Sequence, residues 1–407
     1  MSYRQILISP SKLHLLTNQK QEIEQWLLTS PIYNLSYPFT TSEIGSVVSD
    51  VIKNNDGLTL TISRDGKYYT KKSTSDIIDN SYTIVSLSND NYDEKHKNLI
   101  QLRNNIDDIH SPIVLVAFST DNKTVSSFCF TVHHSVADRE SMVLITNEIF
   151  SRLALISQTN NCITDFKRGS FLDYLDRHAH NAHSPKCALK SVPAGLNNDS
   201  KTLSLNYEMA STDYRLDLAI ELGLSIEEAL ISILAMAFKK TYNESLFEVE
   251  IVRNGRTNLS NNIVGWISQT SLLSLQAQDG LESTAKINSE EIDKVMSHKN
   301  SQLTKRSNTV LNIIDRSKNP FNYQGLLSDA PTPSNIPYFG DNSQRIYVMA
   351  IGVILQSRSF SVIIDYAKSN ESSLSARLLL ENIRSLIEKN LSPVLTPQTN
   401  TQRIKEV

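Results

Sequence analysis

A chain of 407 residues is long enough for two or three domains of ordinary size, or for one fold present twice. With 40% hydrophobic and 20% charged residues it has enough apolar material for a large core, which excludes wholesale disorder. A formal net charge of -3 gives no global field to recruit nucleic acid or an anionic membrane, and 12 glycines, about 3% against a usual ~7%, exclude glycine-rich repeats.

The stretch from Met1 to Gln21 carries Arg4, Lys12 and Lys20 among its apolar residues and lacks the continuous apolar core of a signal peptide. Leu58 to Ser63 alternates apolar and polar residues, as a half-buried strand does, and Asp65-Gly66 turns it into Lys67 to Thr70. Pro112 to Phe118 and Ser126 to Val132 read as strands around an Asp121-Asn122 turn. Ile145, Ile149, Leu153 and Ile156 give Met142 to Ile156 helical spacing.

From Gln158 to Ser211 the texture is loop-like, with Asn160, Asn161, Pro185, Pro193, Gly195, Asn197 and Asn198. A boundary near residue 190 then divides the chain into lobes 1–190 and 191–407. The second half restarts with a helix. Ser225-Ile226-Glu227-Glu228 fits a capping box, and Ile226, Leu230, Ile233, Leu234, Ala237 and Phe238 form one apolar face. Phe247 to Val252, Arg345 to Ile354 and Ser359 to Tyr366 read as strands, and Leu374 to Asn390 as a final helix. The tail beyond Pro393 is expected to be mobile. No apolar run approaches the ~20 residues of a membrane span, and three cysteines (Cys129, Cys162, Cys187) form no paired framework. A cytoplasmic protein is expected.

The chemistry concentrates in Phe128-Cys129-Phe130-Thr131-Val132-His133-His134-Ser135-Val136-Ala137-Asp138. A strand runs into two adjacent histidines, then an aspartate and a helix. A neutral imidazole is the side chain best suited to take a proton near pH 7. Strand alternation puts His134 on the face of Phe128, Phe130 and Val132, and His133 on the other, so the two cannot share one role. From spacing alone a buried structural His pair, with Asp138 as a helix-start acid, stays open. His178, His180 and His183, near Cys187, fit no closed zinc finger and read as a helix-end cluster; no metal is expected. Cys129 sits among apolar neighbours that suppress a thiolate. Trp266 reads as a core or cleft-wall aromatic.

His133-His134-Ser135-Val136-Ala137-Asp138 resembles the HHxxxD motif of the condensation-domain superfamily of acyltransferases. Gly255-Arg256-Thr257, followed by Val264-Gly265-Trp266-Ile267-Ser268-Gln269-Thr270, is similar to that family's GRT…VGxFxNT segment. Phe171-Leu172-Asp173-Tyr174-Leu175 resembles its short aromatic segment. These anchors cover about residues 126 to 275. Two positions depart from the pattern. Arg139 stands where the family usually has Gly after the motif Asp, and Gln269 stands for the usual Asn.

The resemblance implies an α/β fold of two chloramphenicol-acetyltransferase-like lobes, a V-shaped pseudo-dimer with a central tunnel. It implies a free-standing, monomeric condensation enzyme of nonribosomal peptide or polyketide biosynthesis. Such an enzyme joins an acyl or aminoacyl thioester on the phosphopantetheine of a carrier protein to an amine or alcohol, either small or carrier-bound. An enzyme using acyl-coenzyme A, or a noncatalytic scaffold that binds a carrier protein, are the alternatives. His134 would be the general base and His133 a supporting residue. Asp138 would form a bidentate ion pair with Arg256, whose bland reading is an exposed turn residue. Arg139, Ser141, Trp266 and Gln269 are the oxyanion or tunnel candidates, and the Arg139 amide is the oxyanion donor considered.

Overall fold

Short apolar runs bounded by turn residues become sheet strands in the computed structural model. It describes residues 5–8, 26–63, 67–103, 111–158, 168–179, 200–211, 213–296, 307–315, 325–329, 331–332, 347–367, 370–396 and 405–406. The chain divides into two units. One comprises Met1–Ser184, Arg256–Ser268 and Pro320–Ser343, and the other Pro185–Gly255, Gln269–Asn319 and Gln344–Val407. Two segments from beyond residue 190, one of them carrying Arg256 and Trp266, therefore belong to the first unit.

In the first unit, β1 (Gln5–Leu7), β5 (Tyr68–Lys71) and β4 (Leu60–Ile62) form a small antiparallel sheet. Leu60 pairs with Lys71 and Ile62 with Tyr69, as the expected hairpin requires; its Asp65-Gly66 turn lies outside the described residues. The strand is shorter than the alternation suggests, because Asp56–Thr59 closes a 3-10 turn. A five-stranded sheet holds β2 (Leu27–Thr29), β8 (Thr124–His133), β7 (Ile113–Ser119) and β6 (Tyr82–Ser86) in that order, with β3 (Tyr33–Thr40) also paired to β8. Every residue of β7 is buried, and from Ile113 to Phe118 its sequence is a continuous apolar run. Asn122 takes the left-handed conformation in the β7–β8 turn, and Asp121 accepts the amides of Lys123 and Thr124 at 2.8 Å each.

Helix α1 (Thr41–Asn54) starts from a capping box between Thr40 and Glu43 and buries Ile44, Val47, Val48, Val51 and Ile52 on one stripe. Two shorter helices follow, α2 (Thr74–Asn80) and α3 (Tyr92–Arg103). Helix α4 (Arg139–Ile156) begins three residues before the periodic stretch because Asp138 caps it. Helix α5 (Phe171–Ala179) is the expected aromatic segment. Asp56 holds its start, accepting the Phe171 amide at 2.8 Å and the Ser170 hydroxyl at 2.6 Å. The Phe171 ring lies on Gly265, where a Cβ would come within 2.1 Å of it.

The second unit contains one seven-stranded sheet. Its strands are β9 (Ser200–Glu208), β10 (Leu246–Arg253), β11 (Gln269–Gln276), β12 (Thr309–Asp315), β13 (Met349–Leu355), β14 (Ser359–Ala367) and β15 (Lys405–Glu406). The order is β11-β10-β12-β13-β14-β9-β15, parallel only where β12 meets β10 and β13. The sheet is covered by α7 (Ile226–Tyr242), α8 (Leu281–Met296) and α9 (Asn370–Asn390), with α6 (Tyr214–Leu222) beside α7. Both halves of the Ser225–Glu228 capping box are present. Helix α7 buries every residue from Ala229 to Ala237, more than one face, because α8 and α9 pack against it as well.

Two expectations are corrected. The second half restarts with β9, not with a helix: Leu203, Leu205 and Tyr207 alternate into the core. The end of the chain is not loose wherever it is described. Leu395 bridges to Met209, the Thr396 amide donates to Glu208, and β15 pairs with β9. Among the described residues, no helix is long and apolar enough to cross a membrane.

The Gly265 contact makes a prediction. Gly265→Ala should cost about 1–3 kcal/mol, because the ring it meets is walled in and must shift. Chemical denaturation measures this, and an unchanged midpoint would show that Phe171 yields freely.

Candidate active site

The candidate site is built inside the first unit around the end of β8. The strand stops at His133, and His134 to Val136 form a turn, so strand alternation does not carry the His134 ring. Its place is set by tertiary contacts. The His134 amide donates to the Trp26 carbonyl at 2.8 Å. The ring lies 4.0 Å from the Trp26 ring, tilted by 36°, and 4.8 Å from Trp266, nearly edge-on at 64°. His134 is half-buried, with Nδ1 inside.

His133 is separate in position. It is buried, and its Nδ1 lies 2.7 Å from the Ser135 hydroxyl and accepts the Ser135 amide at 3.2 Å. The Ser135 carbonyl in turn accepts the Tyr69 hydroxyl at 2.7 Å. The turn after the strand is thus tied to the small sheet.

Asp138 is 3% exposed, and both its oxygens are occupied. Oδ1 accepts the Ser141 amide and hydroxyl, each at 2.9 Å, and an Arg256 nitrogen. Oδ2 accepts the amides of Ile267 and Ser268, each at 2.9 Å. Burial pushes the carboxyl pKa up. The Arg256 charge and the hydrogen bonds from Ser141, Arg256 and Ile267 outweigh it, so the group ends below its ordinary value.

The expected ion pair is present, and both side chains are 4% exposed, which removes the reading of Arg256 as an exposed turn residue. It is not bidentate. Only Nη2 reaches Asp138, because backbone amides already fill Oδ2. The other terminal nitrogen, Nη1, donates to the carbonyls of Ser260 at 3.1 Å and Ile263 at 2.5 Å. Arg256 thereby cements its own loop as well as the pair.

The remaining candidates separate. The Ser141 side chain is buried within this cluster, with its hydroxyl 2.9 Å from the Gly265 carbonyl and 3.0 Å from the Gly265 amide. Trp266 is buried, and its Nε1 donates to the Ser268 hydroxyl at 3.0 Å. Arg139 is the first residue of α4 and is partly exposed. Gln269 belongs to the second unit, where it begins β11 and accepts from Arg253 at 3.4 Å. Trp26 was not among the sequence candidates, since no motif links it to His134.

The rejected residues have plain environments. Burial pushes the Cys129 thiol up to about 12. His178 stacks on Tyr174 at 4.1 Å in the last turn of α5; His180, His183 and Cys187 lie outside the described residues. Among the described residues, no group of three or more His, Cys, Asp or Glu side chains is placed to hold a metal ion.

Two predictions follow from the Asp138 cluster. Asp138→Ala leaves a buried guanidinium and three backbone amides without their acceptor, and should cost about 3–5 kcal/mol, read from the denaturation midpoint. A stably folded variant that merely loses activity would contradict this. The second concerns pH. A depressed folded pKa adds stability above the unfolded value of about 3.9, and this stability is lost as pH falls through the folded value. The acid limb of wild-type stability below about pH 4 should therefore be steeper than that of Asp138→Asn, with urea titrations at stepped pH as the measurement.

No family model matches the chain, and no curated protein matches it either. Solved structures do. The epimerization domain from the third module of tyrocidine synthetase B aligns with a TM-score of 0.71 at 14% identity, covering 96% of this chain and 99% of that one. The first condensation domain of the CDA synthetase aligns at 0.64 and 13% identity, covering 99% of each chain. The X-domain from teicoplanin biosynthesis aligns at 0.67 and 11% identity, covering 95% of this chain and 96% of that one. The likeness in fold thus extends over almost the whole chain, which has the mixed α/β fold of these epimerization and condensation domains.

Proposed function

We infer that the protein is a condensation-type acyltransferase in which His134 accepts a proton from an attacking amine or alcohol. The fold alone does not choose this, since similar structures include epimerization and X-domains. The carrying observation is the contrast between the two histidines. His133 is buried against Ser135, whereas His134 is half-buried with Nδ1 turned inward. Nε2 is the nitrogen assigned to take the proton.

The reaction balances without a covalent enzyme intermediate. The acceptor lone pair attacks the thioester carbonyl, and its proton passes to His134. The carbon–sulfur bond breaks, and the leaving thiolate takes a proton back. An amide or ester and a free thiol result. General-base assistance of this kind contributes about 10² to 10⁴ in rate, and positioning both substrates contributes the rest. The donor proposed is a thioester on the phosphopantetheine of a carrier protein, with coenzyme A as the other source of the same thiol chemistry. One observation favours a scaffold instead: Arg139 places a long cation at the start of α4, where the family usually has Gly.

The test uses one acyl group loaded on a carrier protein and on coenzyme A, with an amine and an alcohol as acceptors, and product read by intact mass. His134→Ala should lower turnover about 10² to 10⁴-fold on the preferred donor. Equal product from wild type and variant would remove the catalytic role of His134. A wild type that binds carrier but turns over neither donor would favour the scaffold.

A further inference from the structure

We propose that Trp26 is the positioning residue of His134, with Trp266 as the second jaw of one clamp; this rests on the functional reading above. The chain has only two tryptophans, and both lie against the same imidazole. They also meet each other, edge to face, with centroids 5.8 Å apart at 81°.

The sheet register delivers the first jaw. Leu27 pairs with His133 across β2 and β8, so the next antiparallel pair is Trp26 and His134. The bond from the His134 amide to the Trp26 carbonyl continues that register one residue beyond the strand. Side chains opposite each other across a strand pair are close enough to interact directly. The second jaw comes from the segment bound by Asp138. The Ile267 and Ser268 amides sit on its Oδ2, and the Ser268 hydroxyl accepts the Trp266 Nε1. One carboxylate thus holds both the loop that carries His134 and the segment that carries Trp266.

The physical effect is twofold. A histidine in a turn has two free side-chain torsions, and contacts with two indoles remove that freedom before substrate arrives. A ring that becomes cationic on taking a proton is also attracted by an indole face within about 6 Å. Trp26 is the jaw to alter, because it is partly exposed while Trp266 is buried.

The experiment compares Trp26→Leu and Trp26→Phe in the full chain, with circular dichroism to confirm folding. Trp26→Leu should lower kcat about 10- to 100-fold while KM stays within about twofold, and Trp26→Phe should restore most of kcat. The second readout needs no turnover. The His134 ring protons, assigned by their loss in His134→Ala, should be shifted upfield by the indole currents in wild type. They should move towards unshifted positions in Trp26→Leu, and part of the way in Trp26→Phe. An unchanged kcat in folded Trp26→Leu would overturn the positioning role. Ring signals that neither substitution moves would overturn the clamp, and Trp26→Phe alone decides this should the leucine variant not fold. A wild type inactive on every donor would count against the functional reading only, since the ring signals report the clamp without chemistry.

Discussion

The carboxylate of Asp138 is the constraint on which the site depends. It accepts five hydrogen bonds in a buried setting, from one side chain of α4, one guanidinium and three backbone amides. Taking such a group out of water is costly unless its lone pairs are filled. Here they are filled by three stretches of chain at once: the first turn of α4, Arg256, and residues 267 and 268. Since α4 begins where the His134 turn ends, fixing Asp138 fixes the exit of that turn. The entrance is fixed by β8, through its pairing with β2 and β7. The turn has little room left to move.

The segment from Arg256 to Ser268 is far in sequence from the strand it serves, yet it belongs to the same unit. Its placement is steric as well as electrostatic. Gly265 admits the Phe171 ring, and at Gly57 a Cβ would lie 2.4 Å from the Val264 carbonyl. Two glycines on opposite sides thus allow backbone and ring to approach where any side chain would intrude. Trp266 follows directly, so the close approach at Gly265 helps carry an indole to the imidazole. Packing and the geometry around His134 are therefore hard to separate in this segment.

A second buried carboxylate shows the same logic at a purely structural position. Glu148 in α4 is buried and receives Arg152 at 2.7 Å, Arg168 at 3.3 Å, and the Asn54 and Asn55 amides at 3.0 Å each. It ties α4 to the end of α1 and to the chain entering α5. Helix α4 is thus anchored by an acid at its cap and another in its middle. The helical spacing of Ile145, Ile149 and Leu153 announced the helix, but neither anchor is visible in that spacing.

What the sequence alone determined is local. Capping chemistry at Ser225 and Glu228, the apolar run of β7, the Asp121-Asn122 turn and the period of α4 depend on neighbours within a few residues, and all appear in the structure. The HHxxxD and GRT stretches are also short and local, and the pair of Asp138 and Arg256 that they imply is present. Other local signals were present but weaker, such as the Thr40–Glu43 box of α1 and the alternation of Leu203, Leu205 and Tyr207 in β9. Tertiary structure alone decided the rest. That Oδ2 of Asp138 takes backbone amides rather than a second guanidinium nitrogen depends on a loop more than a hundred residues away. That Trp26 faces His134 depends on which strand pairs with β8 and in what register, and register is a property of two strands together. No single stretch of sequence carries it.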